Sequence, residues 1–186
     1  KRIDSNEDCF IRFNGVNYYC KVWINGRYLG DHEGGFLPFQ LKIPNRVLEQ
    51  KNCLVIEVEN FRRLDRIPSL SYDWHNWGGI YRDINLLIVP RERILWIHTA
   101  AKRIDRNSAE LTITYETNQS RPIKWQILRD KSLIVEGKTK TNNRSGMFTV
   151  TIPNPRLWSP ASPNLYSIQA RIIGKEEITR SRLGIR

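Results

Sequence analysis

The feature that most constrains this chain is a hydrophobic period of two, which recurs along most of its length. Apolar and polar residues alternate over residues 54–59, 84–88, 111–116, 123–127 and 148–152. Because successive side chains of a strand point to opposite faces, this pattern predicts half-buried β-strands. Turn residues separate the runs, and Asn25 with Gly26 predicts a type I′ hairpin. A helical pattern is confined to residues 47–52, so the chain is predicted to be all-β.

A domain boundary is predicted near Pro90, where proline and the charged residues that follow it separate two apolar runs. The boundary gives one domain over residues 1–90 and a second over residues 91–186. The second part contains about seven short strands in roughly one hundred residues, the number and spacing of an immunoglobulin-like β-sandwich. Trp125, in an early strand of this part, is expected in its core.

The composition is that of an ordinary globular protein, with 40% hydrophobic and 26% charged residues among 186. No apolar run approaches the roughly 18 residues of a membrane-spanning helix, so no membrane partner is expected. The first eight residues are charged and lack the apolar centre of a secretory signal. The compartment is left open between cytoplasm and periplasm.

The formal net charge of +11 is concentrated in the second part of the chain. Residues 1–90 hold 12 basic and 11 acidic side chains, whereas residues 91–186 hold 18 and 8. The basic residues stand singly along predicted strands, with no aromatic stacking platform and no nucleic-acid motif. We therefore interpret them as a solvated surface and expect no nucleic-acid partner; a scaffold that docks an acidic partner is the alternative.

Residue types that often form metal, redox or cofactor sites lack the required spacing here. Cys9, Cys20 and Cys53 are odd in number and form no C-x-x-C pair, so we interpret them as small buried hydrophobes. The three histidines are too far apart in sequence to predict a metal site. No nucleophile elbow, phosphate loop or dinucleotide fingerprint is present, and no cofactor is predicted.

The strongest chemical signal is the run at residues 71–82, SYDWHNWGGIYR, in which a carboxylate, two indoles and two adjacent glycines share a polar loop. Indoles offer flat apolar faces that suit the C–H face of a sugar ring. A loop carboxylate can accept hydrogen bonds from vicinal hydroxyls, and glycines permit close approaches that side chains forbid. The loop is therefore a candidate sugar site, whose candidate substrate-binding residues are Asp73, His75, Asn76 and Trp77.

Three stretches, in the expected order, resemble the non-catalytic front of the family-2 glycoside hydrolases, the β-galactosidase, β-glucuronidase and β-mannosidase group. Residues 22–39 are similar to the V-W-x-N-G … G-x-H-x-G-G-[FY]-x-P-F run of that family's jelly-roll sugar-binding domain. Residues 73–86 are similar to its D-x-x-N-x-G-G-I-x-R-x-V-x-L motif. Residues 157–166 and 183–186 resemble the end of its immunoglobulin-like domain.

The resemblance implies a truncated jelly-roll β-sandwich, without its N-terminal strands, followed by an immunoglobulin-like β-sandwich. It also implies that the parent protein is a retaining β-glycosidase, whose two catalytic glutamates lie in a β/α-barrel domain beyond residue 186. No catalytic residue is therefore expected in this chain, which would supply scaffold and one edge of the sugar pocket to an intramolecular barrel. The identity of the sugar is left open, and the sequence also leaves open whether the parent protein is a homo-oligomer.

The resemblance assigns a role to Asp73, because the matching aspartate of the family hydrogen-bonds a glycone hydroxyl; the alternative is that it caps a turn. His75 is expected at the rim of the pocket, whereas Asn76 and Trp77 are expected chiefly to shape and pack the loop. Arg82 is interpreted as an ion-pair partner at the contact with the barrel. His32 is expected to be a hydrogen-bonded packing residue. Core or interdomain packing is expected for Trp23, Trp96, Trp125 and Trp158.

Two other functions stay open on the sequence alone. A free-standing carbohydrate-binding module would need a platform of exposed aromatic residues and affinity for soluble oligosaccharide without the barrel. A basic interaction scaffold would need salt-dependent binding to a polyanion that is lost when Lys138 and Lys140 are neutralised.

Overall fold

The computed structural model of the chain describes residues 3–71, 73, 75–140 and 143–186. Tyr72 and Trp74 of the candidate loop, and Asn142 of a turn between two alternating runs, lie outside the described residues. The chain divides into two compact units, residues 1–91 and 92–186. Within the described residues the one helical element is a 3₁₀ turn over Asn45–Val47, so the prediction of an all-β chain is confirmed. No helix found in those ranges has the length and apolar character to cross a membrane.

The first unit contains two three-stranded antiparallel sheets. Its strands are β1 (Glu7–Phe13), β2 (Val16–Asn17), β3 (Tyr19–Ile24), β4 (Arg27–Glu33), β5 (Phe39–Ile43), β6 (Leu54–Glu59), β7 (Gly79–Ile80) and β8 (Ile84–Pro90). The strand orders are β5-β1-β8 and β4-β3-β6, and the short β2 and β7 pair separately. Asn25 and Gly26 join β3 to β4 with φ angles of 48° and 77°, as the predicted type I′ turn requires.

The core of the first unit lies between these two sheets. Every second residue of β1 and β3 is buried, and the buried set comprises Cys9, Ile11, Phe13, Cys20, Val22 and Ile24. On the side of β4 and β5 the sandwich is closed, because Leu41 lies so close to Gly30 that an added Cβ would meet it at 3.0 Å. The alternation read from the sequence therefore identifies the core-facing side of the central strands.

On the side of β6 and β8 the first unit is open. Leu54, Ile84 and Leu86 are register partners of buried residues in β3 and β1, so their side chains point to the core-facing side. They nevertheless remain 37%, 37% and 60% exposed. Apolar side chains are thus exposed on the core-facing side of two edge strands.

The second unit has seven long strands in two sheets, the arrangement predicted for an immunoglobulin-like sandwich. Its strands are β9 (Ile94–Ile104), β10 (Ser108–Thr117), β11 (Ile123–Arg129), β12 (Ser132–Lys138), β13 (Ser145–Pro153), β14 (Trp158–Ser159), β15 (Ser162–Pro163), β16 (Tyr166–Ile172) and β17 (Thr179–Leu183). The sheets run β13-β10-β9 and β12-β11-β16-β17, and β14 with β15 forms a small hairpin.

Aromatic packing organises the core of the second unit. Trp125 is buried, as predicted, and its indole stacks on Phe148 with ring centroids 4.8 Å apart. A Cβ at Gly137 would lie 2.6 Å from the same indole, so a glycine is required where β12 passes this ring. Of the other predicted packing tryptophans, Trp23 and Trp158 are half-buried.

The cysteine prediction is confirmed for two residues and wrong for the third. Cys9 and Cys20 are buried, and burial raises the pKa of the Cys20 thiol to about 11. Cys53 is exposed. It lies in the turn before β6, where its backbone N–H and carbonyl both bond to Asn25, so the side chain is left pointing away from the core.

One further expectation about local structure is also wrong. Residues 48–52 are not helical, because the Asn52 side chain accepts from the Glu49 N–H and donates to the Glu49 carbonyl, which closes a turn instead. Trp96, expected in core or interdomain packing, is not part of the core of its own unit. It is 37% exposed on the outer face of β9, where its indole N–H donates to Glu116 at 2.7 Å.

Candidate functional site

The candidate site lies where three loops of the first unit meet, at residues 14–18, 33–38 and 60–82. The Tyr81 hydroxyl donates to the Gly35 carbonyl, which ties the third loop to the second. The Arg82 guanidinium donates to the carbonyls of Asn14 and Phe36, at 3.4 and 3.3 Å. These bonds bring the three loops together at one end of the unit, which we call the loop end.

An asparagine cluster, made of Asn17, Asn60 and Asn76, holds residues 76 and 77 of the loop that carries Asp73. Asn17 is buried and its Nδ2 donates to Asn76 Oδ1 at 2.9 Å and to the Trp77 carbonyl. Asn76 Nδ2 donates to the Asn60 carbonyl at 2.8 Å. A Cβ at Gly78 would lie 2.3 Å from the Asn60 amide, so this loop needs a glycine there. Asn76 thus shapes the loop, the role that the sequence analysis favoured.

A buried arginine holds the first part of the same loop. Arg66 is 6% exposed, and its guanidinium donates to Glu59 at 2.8 Å and to Glu33 at 3.3 Å. It also donates to the Phe61 carbonyl and lies 4.8 Å from the centre of the Tyr18 ring. The sequence analysis missed this residue, because nothing in the run of arginines at 62–66 distinguishes the one whose partners lie on distant strands.

Asp73 itself lies on the surface of this loop. Its side chain is exposed, and we find no hydrogen bond or ion pair between its carboxylate and the described residues. The turn-capping alternative therefore has no support within those ranges.

The aromatic residues next to Asp73 are also accessible. Trp77 is 75% exposed, and the packing and loop-shaping role expected for it stays a prediction. Its backbone is held by the asparagine cluster, which leaves the indole projecting outwards. His75 is exposed and its ring meets the Trp77 indole edge-on, with centroids 4.7 Å apart.

The loops that meet here also expose an unusual number of apolar side chains. Six large apolar residues of the second and third loops are each more than half exposed: Phe36, Leu37, Phe61, Leu64, Ile67 and Leu70. Concentrations of exposed apolar residues generally mark surfaces that contact another protein or domain. Four of these residues belong to the same loop as Asp73, so this loop carries groups suited to a domain contact.

Two flanking residues have roles that the structure defines. His32 stacks on Phe39 with ring centroids 4.0 Å apart and has Nε2 3.2 Å from the Gly34 carbonyl, which confirms it as a packing residue. Arg82 was expected to form an ion pair at the contact with the barrel, and that expectation stays a prediction. Within the first unit its guanidinium bonds backbone carbonyls and lies over the Tyr81 ring at 5.1 Å. No group of three potential metal ligands occurs in the part of the chain that the structure describes.

Comparison with known families covers nearly the whole chain. The family described as "Glycosyl hydrolases family 2, sugar binding domain" matches residues 1–90. The family described as "Glycosyl hydrolases family 2" matches residues 93–186. The two matches fall on the two compact units in the order that the sequence motifs indicated.

Curated relatives are larger proteins than this chain. A putative β-glucuronidase of Formosa agariphila is 29% identical over 99% of the chain, which covers 23% of that protein. A β-galactosidase of Thermoanaerobacterium thermosulfurigenes is 30% identical over 86% of the chain, which covers 24% of it. The chain therefore spans about a quarter of the length of these two relatives.

Solved structures show the same fold. The β-glucuronidase of Ruminococcus gnavus superimposes with a TM-score of 0.82 at 23% identity, over 97% of this chain and 33% of that one. The Bifidobacterium dentium β-glucuronidase complexed with coumarin-3-O-glucuronide superimposes with a TM-score of 0.85 at 20% identity, over 98% of this chain and 37% of that one. At these identities the likeness establishes the fold.

Proposed function

The chain belongs to family 2 of the glycosyl hydrolases, and from this premise we propose that it is a non-catalytic part of a retaining β-glycosidase of the β-galactosidase and β-glucuronidase kind. In this proposal the parent protein hydrolyses O-glycosidic bonds of β-linked sugars at the non-reducing end. Residues 1–90 form the sugar-binding jelly roll and residues 91–186 the immunoglobulin-like domain. The chain supplies scaffold and one edge of the sugar pocket.

The observation that carries the proposal is the exposed carboxylate of Asp73 on a loop whose backbone is fixed by the asparagine cluster. A carboxylate accepts two or more hydrogen bonds, so it suits the vicinal hydroxyls of a sugar ring. Because the loop is held before substrate arrives, little conformational entropy is lost on binding. The exposed indole of Trp77 provides an apolar face beside the carboxylate, and His75 flanks it.

The bond-breaking step is assigned to another domain. Retaining glycosidases need two carboxyl groups about 5 Å apart, one as nucleophile and one as general acid and base. The proposal places both in a β/α-barrel that packs on the exposed apolar residues of the loop end. Asp73 then orients the sugar against these groups, and this positioning is where the chain contributes to rate.

The first test is an activity assay of the purified 186-residue chain with aryl β-galactosides and β-glucuronides. The expected result is no hydrolysis above the uncatalysed rate, since the proposal leaves both reacting carboxylates outside the chain. Turnover that co-purifies with the chain, and survives a contaminant check with an inactive-host preparation, would contradict the proposal.

The second test separates a pocket edge from a free-standing carbohydrate-binding module. Titration calorimetry of the chain with galactosides, glucuronides and mannosides should give no measurable heat of binding, because Asp73, His75 and Trp77 form only one wall of a pocket. Binding of a soluble oligosaccharide that is lost in a Trp77→Ala variant would instead identify a carbohydrate-binding module.

A further inference from the structure

We propose that the outer face of the four-stranded sheet in the second unit binds a polysaccharide that carries carboxylates. The inference starts from a row of three cations on adjacent strands. Lys124 of β11 lies directly opposite Lys138 of β12 on one side and Arg171 of β16 on the other. Adjacent strands are about 4.8 Å apart, and directly opposite residues share a face.

This cation row, Lys138–Lys124–Arg171, is not explained by the stability of the sheet. Like charges directly opposite one another destabilise a strand pair. Lys124 has a partner, because its Nζ lies 3.1 Å from Glu136. For Lys138 and Arg171 we find no paired carboxylate among the described residues, and both side chains are exposed. Two of the three charges are therefore available to an external anion.

The surface around the cation row is concave. A depression of about 670 Å³ is lined by the three cations together with Glu136, Lys175 and Glu176. A smaller depression of about 140 Å³ adjoins it and shares Lys124 and Arg171. Together these volumes fall in the range of ordinary ligand sites.

Amide groups next to the cation row add hydrogen-bonding capacity of a different kind. Gln126 of β11 lies opposite Gln169 of β16, one pair along the same face, and the two amides are joined by a 3.2 Å hydrogen bond. Each amide keeps further donor or acceptor positions. Cations beside neutral amides match a ligand that carries both carboxylates and hydroxyls, as a uronic-acid chain does.

The spacing of charges on this surface and its lack of aromatic residues favour a uronic-acid polysaccharide over a nucleic acid as the ligand. Single-stranded nucleic acid is bound by stacking of its bases on aromatic side chains, and the described outward-facing residues of this sheet include none. Glu136 and Glu176 interrupt the positive surface and would repel a polymer with closely spaced charges. A polysaccharide with one carboxylate per sugar tolerates that interruption.

The test compares two variants of the 186-residue chain with the same loss of charge. Lys138→Gln with Arg171→Gln removes the unpaired cations, whereas Lys51→Gln with Arg106→Gln removes two exposed cations elsewhere. Binding to polygalacturonate is measured by affinity electrophoresis at low and moderate salt. The first variant should bind about fivefold more weakly, with a smaller salt dependence, and the control variant should bind like the original chain.

Binding measurements with three further polymers distinguish the proposed ligand from its alternatives. Neutral dextran, a sulfated polysaccharide and single-stranded DNA should each bind more weakly than polygalacturonate at equal salt. Equal losses in both double variants, or tighter binding of dextran, sulfated chain or DNA, would overturn the proposal. An Asp73→Asn variant should bind polygalacturonate normally, so this outcome is independent of the pocket-edge function.

Discussion

The two units of this chain use the same alternating pattern but differ in how far they close. In the second unit the inward-facing residues of β10, Leu111, Ile113 and Tyr115, are at most 1% exposed. In the first unit the inward-facing Leu86 of β8 is 60% exposed. A period of two therefore determines which face of a strand points inwards, but burial depends on what covers the edge.

The difference extends to the loops. The second unit is held together by a continuous apolar core that includes residues of both sheets. The loop end of the first unit is held by polar contacts, namely the asparagine cluster and the ion pairs of Arg66. Polar contacts hold a loop in place while leaving its apolar side chains exposed, which suits the domain contact that we propose.

The largest expected effect is a difference in the stability cost of truncating a core side chain in the closed second unit and on the open side of the first unit. Leu111→Ala should lower the free energy of unfolding of the second unit by about 3 kcal/mol, since it leaves a cavity between two closed sheets. Leu86→Ala should cost the first unit less than about 1 kcal/mol, because the side chain is mostly in solvent already. Native-state hydrogen exchange measures each unit separately. A similar cost at both positions would mean that the open side is covered in solution.

The next effect concerns the polar contacts of the loop end. Arg66→Met should destabilise the first unit by about 2 kcal/mol, because it leaves Glu59 and Glu33 without their shared, buried partner. Arg63→Gln is the matched control. The Arg63 guanidinium also contacts Glu59, at 3.2 Å, but its side chain is half exposed, so the substitution should lower the free energy of unfolding by only a few tenths of a kcal/mol. Urea unfolding of both variants provides the comparison, and equal costs would refute a special role for Arg66.

Thiol reactivity tests how often the open unit exposes its core. In the native chain one thiol, that of Cys53, should react rapidly with a disulfide reagent, since Cys9 and Cys20 are buried and burial raises the pKa of both thiols. The other two should react slowly, at the rate at which the sandwich opens. Immediate reaction of all three thiols would show that the first unit is not folded as described.

The smallest expected effect is a pH dependence of the second unit. The ion pair with Lys175, at 3.1 Å, and the hydrogen bond from Arg121 hold the pKa of the Glu92 carboxyl below its ordinary value, against the opposing effect of burial. A lowered folded-state pKa contributes stability above the unfolded-state pKa, and this contribution is lost as the pH falls through the folded-state pKa. Glu92→Gln should therefore flatten the fall of the melting temperature in acid, whereas Glu110→Gln should not.

The local sequence pattern was sufficient to predict the strands, the type I′ turn at Asn25 and the burial of Trp125. It was insufficient wherever the environment of a residue depends on residues that are distant in the sequence. Cys53 stands at the edge of an apolar run just as Cys9 does, but only the turn bonds with Asn25 direct its side chain outwards. Arg66 is buried among partners up to 33 residues away in the sequence, and a local pattern does not reveal such partners.

The candidate site shows the same division. Asp73, His75 and Trp77 were identified from residue types in one short run of sequence. The asparagine that fixes that run, Asn17, lies 59 residues before its partner Asn76 and carries no local signal. Candidate sugar-binding residues could be proposed from the sequence, whereas the residues that hold their loop could be identified only from the fold.

The central claim is that the loop end of the first unit presents the Asp73 carboxylate to a sugar held by a catalytic domain. The most direct test is Asp73→Asn in the polypeptide that joins this chain to its barrel, with Asp65→Asn, an exposed carboxylate of the same loop, as control. Losing a hydrogen bond to a charged group should lower kcat/KM by about 10- to 100-fold, and the control should stay within about twofold. Equal activity of the Asp73→Asn variant and the unmodified enzyme would contradict the account.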